Sequence, residues 1–348
     1  MDRLQLESLS IHELREMGEK AGIVSSKKAQ IVAQLATDFR SGVPVQIDVP
    51  AMTAPQPQTQ TQTQPEDSEQ IIWAEVPIAT SDINGSYVEP PFYGELASAV
   101  TIGHVELMGS AGAGKTLAIH HLASAQGRKL AGVTADGGLR KRDLVGTREL
   151  IGGRTVFQAS EFATAAKNGD WALIDEANMA EPDALGFLNG MLDRPASTGS
   201  TFVVGGKAIE VHPDFRCFMT RNPNYQGTKP MNEALRDRFW SINVPPLLGD
   251  ALGAMLKAHQ VKKDYIPDAV ILIETLYKAW QGNRISYQVS PRRALSSAKM
   301  ADLTKKPFRD VLTGSILTKI DVEHERNAVE AVIQTVWRAQ NLKDKYTK

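Results

Sequence analysis

Eight residues, GSAGAGKT at Gly109–Thr116, constrain this chain more than any other segment. A short apolar run, His104–Met108, leads into them, and a helix-patterned stretch, Thr116–Ala125, follows. Strand, glycine-rich loop and helix in that order form the setting of a phosphate-binding loop. Gly109, Gly112 and Gly114 let the backbone curl, so that its N–H groups, with Ser110, Ala111 and Ala113 between them, converge on phosphate oxygens. The helix N-terminus adds a dipole that favours anions, with Leu117 in its first turn. Lys115 would reach the β- and γ-phosphates, and the Thr116 hydroxyl would ligate Mg²⁺.

Such a loop belongs in a parallel α/β sheet, and residues 71–246 alternate short apolar runs with helical patterns in the way that sheet requires. The strand candidates are His104–Met108, Lys129–Thr134, Trp171–Ile174 and Phe215–Thr220. From Leu247 to the C-terminus the pattern is helical only, with Ala269–Trp280, Pro291–Ala301 and Ala328–Gln340 as the better segments. Residues 247–348 therefore read as a smaller helical domain on the α/β body.

The N-terminal part differs. Residues 1–40 read as two short helices: Ser10 and Glu13 form a capping box, Ile11, Leu14 and Met17 repeat at helical spacing, and Gly22 offers a stop. Residues 41–70 turn to proline, glutamine and threonine (PQPQTQTQTQPEDSEQ), which cannot bury enough apolar surface to fold. This stretch is expected to be a disordered linker that tethers the first unit.

A second strong signal is WALIDEAN at Trp171–Asn178, an apolar strand that ends in two carboxylates. It has the form of a Walker B element: Asp175 would hold Mg²⁺ through water, and Glu176 would orient and polarise the attacking water. A third strand, in RCFMTRNPN at Arg216–Asn224, ends at Asn222. Alone, Asn222-Pro223 is a turn signal. Following a Walker B strand, the amide can position the lytic water or sense the γ-phosphate.

These elements, followed by MNEALRDRFW at Met231–Trp240, resemble an AAA+ ATPase, a P-loop NTPase with a parallel αβα sandwich and a helical lid. More narrowly, the combination is similar to the MoxR and dynein-related branch, which includes the ATPase subunit of cobalt chelatase. The resemblance covers about residues 90–300. It implies that Arg238, with Arg236 as the nearby substitute, acts in trans on a neighbour's site. A guanidinium fork there would stabilise charge on the γ-phosphoryl oxygens. It also implies a sensor-2 arginine in VSPRRAL at Val289–Leu295, where Arg292 matches best and Arg293 is the alternative. Hairpins at Thr147–Gln158 and Thr201–Val211, turning at Gly152-Gly153 and Gly205-Gly206, match two insertions of that branch.

The resemblance further implies ATP and Mg²⁺ as ligands, a homo-oligomeric ring (a hexamer), and a partner with a von Willebrand A-type domain on another chain, since no DxSxS motif occurs in this one. No guanine-specific motif is visible, and the adenine pocket is equally unmarked. Leu6–Leu35 resembles the SAP and Rho-N-terminal modules, in which Arg15, Lys27 and Lys28 would contact nucleic-acid phosphates. A protein-docking hairpin is the other reading of that unit. The leading expectation is thus a ring that couples ATP hydrolysis to remodelling of a partner protein, and the alternative is a DNA-directed motor or loader.

The bulk composition bounds these readings. A formal net charge of −1 carries no global polyanion signature, so any nucleic-acid contact is local. The single cysteine, Cys217, excludes a disulfide framework. No apolar run approaches the roughly 20 residues needed to span a bilayer, and MDRLQLESLS lacks the apolar core of a signal peptide. The expectation is a cytoplasmic protein with no membrane partner.

Overall fold

Three of the five strands in the central sheet are buried at nearly every position, on both faces, as a parallel sheet covered by helices demands. The computed structural model describes residues 70–80, 87–193, 200–223 and 227–346. The helical module expected over 1–40, the linker up to residue 69 and Asn224 lie outside the described residues.

In chain order the elements begin with β1 (Gln70–Trp73), α1 (Tyr93–Ile102), β2 (His104–Gly109), α2 (Lys115–Ala125) and β3 (Leu130–Thr134). Next come α3 (Lys141–Val145), β4 (Gly146–Ile151), β5 (Arg154–Ala159), α4 (Glu161–Asn168) and β6 (Trp171–Asp175). The short helices α5 (Pro182–Leu185) and α6 (Leu188–Met191) follow, then β7 (Thr201–Val204), β8 (Lys207–Glu210), β9 (Arg216–Arg221), α7 (Glu233–Arg236) and β10 (Phe239–Val244). The remainder is helical: α8 (Gly249–Ala258), α9 (Ile266–Gln281), α10 (Arg292–Thr304), α11 (Phe308–Leu317) and α12 (Glu323–Tyr346).

The main sheet runs in the order β10-β2-β9-β6-β3, and every neighbouring pair is parallel. Alternate side chains go to opposite faces. Leu107, Leu173 and Phe218 pack with α1 and α2 on one face, while Ala172, Ile174 and Met219 pack with α4 and the short helices on the other. This is the expected αβα sandwich. A separate apolar core, with Leu252, Leu272, Leu276, Leu312 and Ile333 among its fully buried residues, holds α8–α12 together as the helical lid.

The chain order reverses at β2. From β2 it crosses to β3 at one edge, returns through β6 and β9, and then places β10 on the other side of β2. A ligand crevice opens at such a switch point, beyond the carboxyl ends of the strands. The Asn222 strand, β9, lies between the P-loop strand β2 and the Walker B strand β6. The three chemistry-bearing strand ends are therefore adjacent in the order P-loop, Asn222, Asp175.

Both expected hairpins form, β4–β5 and β7–β8, each antiparallel. The first is not a free insertion. β5 also pairs in parallel with β1, making a three-stranded sheet β1-β5-β4. Gln70, which composition assigns to the linker, pairs with Val156 at the start of that ladder. Two strands, β1 and β10, and two lid helices, α8 and α11, were absent from the sequence reading.

Candidate active site

Gly112 and Gly114 give the loop its curvature, at φ of 79° and 86°, a left-handed region that costs any other residue a steric penalty. A Cβ on Gly112 would stand 2.4 Å from Ser290 Oγ, so the loop also needs glycine to fit beneath the lid. Gly114 ends the loop in the N-cap position of α2, and Lys115 opens the helix.

Lys115 is 6% exposed, and its ammonium donates to the carbonyls of Gly109 at 2.8 Å and Ser110 at 2.9 Å and to Asn222 Oδ1 at 2.6 Å. All three acceptors are neutral. Asp175 and Glu176 lie close enough for their charge to be felt, yet among the described residues no carboxylate forms an ion pair with Lys115. Burial pulls its pKa down to about 8, with the Arg292 charge acting in the same direction and the two carboxylates opposing. A buried cation held only by neutral oxygens is poised for an anionic ligand.

The two Walker B carboxylates are held differently. Asp175 Oδ1 accepts the Thr116 hydroxyl at 2.8 Å and also the hydroxyl of Thr220. Glu176 sits just past the end of β6 in a left-handed conformation, φ 55° and ψ 37°. Its amide donates to Thr220 Oγ1 at 2.9 Å, and its Oε1 accepts from Asn222 Nδ2 at 3.3 Å. Asn222 thus joins Lys115 to Glu176. Asn178 holds the Asn222 backbone in turn, donating to its carbonyl at 3.0 Å and accepting from its amide at 3.4 Å. The DEAN segment therefore clamps the Asn222 strand as well as ending its own.

The strand that supplies the loop carries its own polar anchor. Glu106, fully buried in the middle of β2, accepts Arg221 Nη2 at 3.2 Å, Arg221 Nε, and the Ser241 hydroxyl at 2.7 Å. Three adjacent strands, β9, β2 and β10, are pinned together there.

A cleft of about 360 Å³ opens over the loop. Gly112, Ala113, Gly114, Thr116 and Leu117 form its floor, and Arg292 and Leu295 of α10 reach it from the lid. Of the two candidate sensor-2 arginines, Arg292 lines this cleft and Arg293 does not. The apolar wall was missed from sequence: it comprises the strap Tyr87–Pro91 and, from the lid, Leu247, Ala251, Met255 and His259. Tyr87 stacks on His121 of α2 with ring centroids 3.8 Å apart, and the Tyr93 hydroxyl bonds to His121 Nδ1 at 2.8 Å. The proline pair before α1 was the signal that could have marked the strap.

Arg236 and Arg238 lie outside the lining of this cleft. Arg238 does not pair with Asp237 or Glu233. Its Nε donates to the Asn189 carbonyl at 2.9 Å, its Nη1 donates to the Ala234 carbonyl, and its Nη2 pairs with the exposed Asp193 at 2.6 Å. Arg236 is exposed and makes no side-chain hydrogen bond or ion pair among the described residues. Both are thus placed away from the site within this chain.

These groups fit a nucleoside triphosphate with Mg²⁺. The cradle glycines and the buried ammonium suit phosphate oxygens, and the Thr116 hydroxyl beside the Asp175 carboxylate offers the few hard oxygen donors that Mg²⁺ takes while keeping waters and phosphate ligands. No cluster of three or more His, Cys, Asp or Glu able to hold a metal occurs among the described residues. No described helix is long and apolar enough to cross a membrane.

Comparison with known proteins adds relatives. Residues 104–239 match the AAA domain of the dynein-related subfamily. An uncharacterized protein of Staphylococcus haemolyticus is 31% identical over 239 residues, covering 66% of this chain and 89% of its own. The uncharacterized protein YojN of Bacillus subtilis is 31% identical over 241 residues, covering 67% of this chain and 78% of its own. A solved chain from Cytophaga hutchinsonii, 19% identical, covers 76% of this chain and 90% of its own, with a TM-score of 0.38.

Proposed function

This chain belongs to the dynein-related AAA family of ATP-hydrolysing P-loop proteins, and from that premise we propose that it is a ring-forming motor that remodels a partner protein or complex. The observation that carries the catalytic half of this reading is the bond pattern linking Lys115 to Asn222 and Asn222 to Glu176. Two residues of opposite charge and a neutral amide between them are what in-line water attack on a γ-phosphoryl group needs: a cation for the phosphate oxygens, a carboxylate for the water, and a group that senses both.

In this reading Lys115 exchanges its loop carbonyls for phosphate oxygens. Asn222 then retains Glu176 as its partner and holds the carboxylate to orient and polarise the attacking water. When bound, Mg²⁺ supplies charge neutralisation on the phosphates, with Thr116 and Asp175 as the residues that would hold it. Arg292 contributes positive charge from the lid of the same subunit.

Arg238, with Arg236 beside it, serves the site of a neighbouring copy, which makes turnover depend on assembly into a ring, taken here as a hexamer. Two backbone carbonyls fix the Arg238 guanidinium in place, while its contact to exposed Asp193 is of the weak, exchangeable kind. The resemblance to MoxR proteins and to the cobalt chelatase ATPase supports a partner carrying a von Willebrand A-type domain on a separate chain. Residues 1–40 would tether the target.

The test is affinity capture with the Glu176→Gln chain loaded with ATP, which stalls the cycle with its target bound. Retention of a defined protein partner is expected. Retention of DNA alone, lost on deleting residues 1–40, would replace this reading with a DNA-directed motor.

A further inference from the structure

We propose that Thr220 is a positioning residue for ATP hydrolysis, its single hydroxyl fixing both Walker B carboxylates; this rests on the hydrolytic reading above and adds a residue that reading does not use. Thr220 is fully buried, the fifth residue of β9. A buried hydroxyl left without partners is destabilising, so where its bonds go is informative. Both go into the site: the hydroxyl donates to Asp175 Oδ1, and its oxygen accepts the Glu176 amide at 2.9 Å.

The sheet register explains the arrangement. β6 and β9 run parallel with Ile174 opposite Met219, so one residue further on Asp175 and Thr220 come side by side on the same face. At that point β6 ends and the chain turns, with Glu176 left-handed, into the 3-10 turn Ala177–Met179. A left-handed non-glycine residue persists only where its surroundings over-determine it. The Thr220 oxygen supplies the partner that the Glu176 amide needs there, and so sets the direction in which the Glu176 side chain leaves the strand.

Asp175 gains as well. Oδ1 takes two hydroxyls, Thr116 from the loop helix and Thr220 from β9, and Oδ2 has no protein donor among the described residues. The carboxylate is thereby oriented from two sides. Thr220 also stands two residues before Asn222, which follows directly on β9, so the end of one strand presents both the group that holds Glu176 by its backbone and the group that holds it by its side chain.

Thr220→Val keeps the shape and β-branching and removes both bonds, while Thr220→Ser keeps the hydroxyl. In the full chain we expect Thr220→Val to lower kcat about 10- to 100-fold, the usual cost of losing a supporting partner of a metal or catalytic group. Affinity for a fluorescent ADP analogue should stay within about threefold, because that substitution leaves the phosphate cradle intact. Hydrogen exchange in the peptide spanning 174–180 should quicken in Thr220→Val and return to the wild-type rate in Thr220→Ser, together with kcat. If Thr220→Val does not fold, Thr220→Ala is read in the same way.

Wild-type kcat in the valine variant, or an equal loss of activity in the serine and valine variants with no change in exchange at 174–180, would overturn the proposal. A wild-type chain that neither binds nor hydrolyses ATP would instead overturn the reading beneath it.

Discussion

Replacing Asn222 separates the two halves of the catalytic arrangement. Asn222→Ala removes a charge-assisted bond of 2.6 Å from Lys115 and a longer one of 3.3 Å to Glu176, but leaves the Asn178 clamp, which holds only the Asn222 backbone. The loop is therefore expected to keep its place. Freed from one neutral competitor, the Lys115 ammonium should bind phosphate as well as before or up to about tenfold better, the low end of the about 1.5–3 kcal/mol net that a hydrogen bond to a charged group contributes. Glu176 loses its only side-chain donor among the described residues, and removing one preorganised donor costs about 10²-fold or more in kcat, near 2.7 kcal/mol. Asn222→Asp sharpens the test. It can still accept from Lys115, cannot donate to Glu176, and sets a negative charge beside both the carboxylate and the triphosphate, so kcat should fall at least as far and nucleotide affinity should now drop. Steady-state ADP release gives kcat, and titration with a fluorescent nucleotide gives Kd. Turnover within twofold of wild type in Asn222→Ala, or a loss carried entirely by Kd, would refute the role assigned to Asn222.

Three further outcomes follow from the same contacts. Burial holds the Lys115 pKa near 8, below its ordinary 10.5, so the folded chain binds fewer protons than the unfolded one between those values. In that window the contribution of Lys115 to stability improves as pH rises, while phosphate binding, which needs the proton, weakens: Kd for ATP should rise about tenfold from pH 7 to 9, and a flat profile would contradict it. Arg238→Ala chains should be inactive alone but recover turnover when mixed with Lys115→Ala chains, whose intact Arg238 serves the other subunit's loop; no recovery in verified mixed assemblies argues against action in trans. Glu106→Ala strands Arg221 in the sheet, at a cost of about 3–5 kcal/mol, and should lower Tm by about 10 °C, with Glu106→Gln well short of that; a Tm unchanged by Glu106→Ala would show that the buried pair does not hold β9, β2 and β10 together.

The site was legible in the sequence where its chemistry is local. Phosphate binding needs glycines, a lysine and a hydroxyl at fixed spacing on one turn, and Mg²⁺ and water need carboxylates at a strand end, so Gly109–Thr116 and Asp175-Glu176 declare themselves. What depends on register does not. Thr220 and Asn178 become functional groups only because β9 lies between β2 and β6, an order no local pattern specifies. β10 escaped notice for a related reason: as an edge strand it exposes Trp240, Ser241 and Asn243, which breaks the apolar run that marked the inner strands. β1 is four residues long and adjoins the proline- and glutamine-rich stretch. The lid helices α8 and α11 each contain an internal glycine, Gly253 and Gly314, which weakens a helical pattern read from propensity. The apolar wall of the cleft joins Tyr87–Pro91 to lid residues more than 150 positions away, a juxtaposition that only folding reveals.

The most direct test of the account is the ATP turnover of Glu176→Gln measured beside its ATP affinity. Glutamine keeps the length of Glu176 and an oxygen for Asn222, but cannot take a proton from water. The variant should bind ATP as the wild type does and hydrolyse it at least about 100-fold more slowly. Wild-type turnover in Glu176→Gln would show that the strand ends gathered around Lys115 are not the hydrolytic centre of this protein.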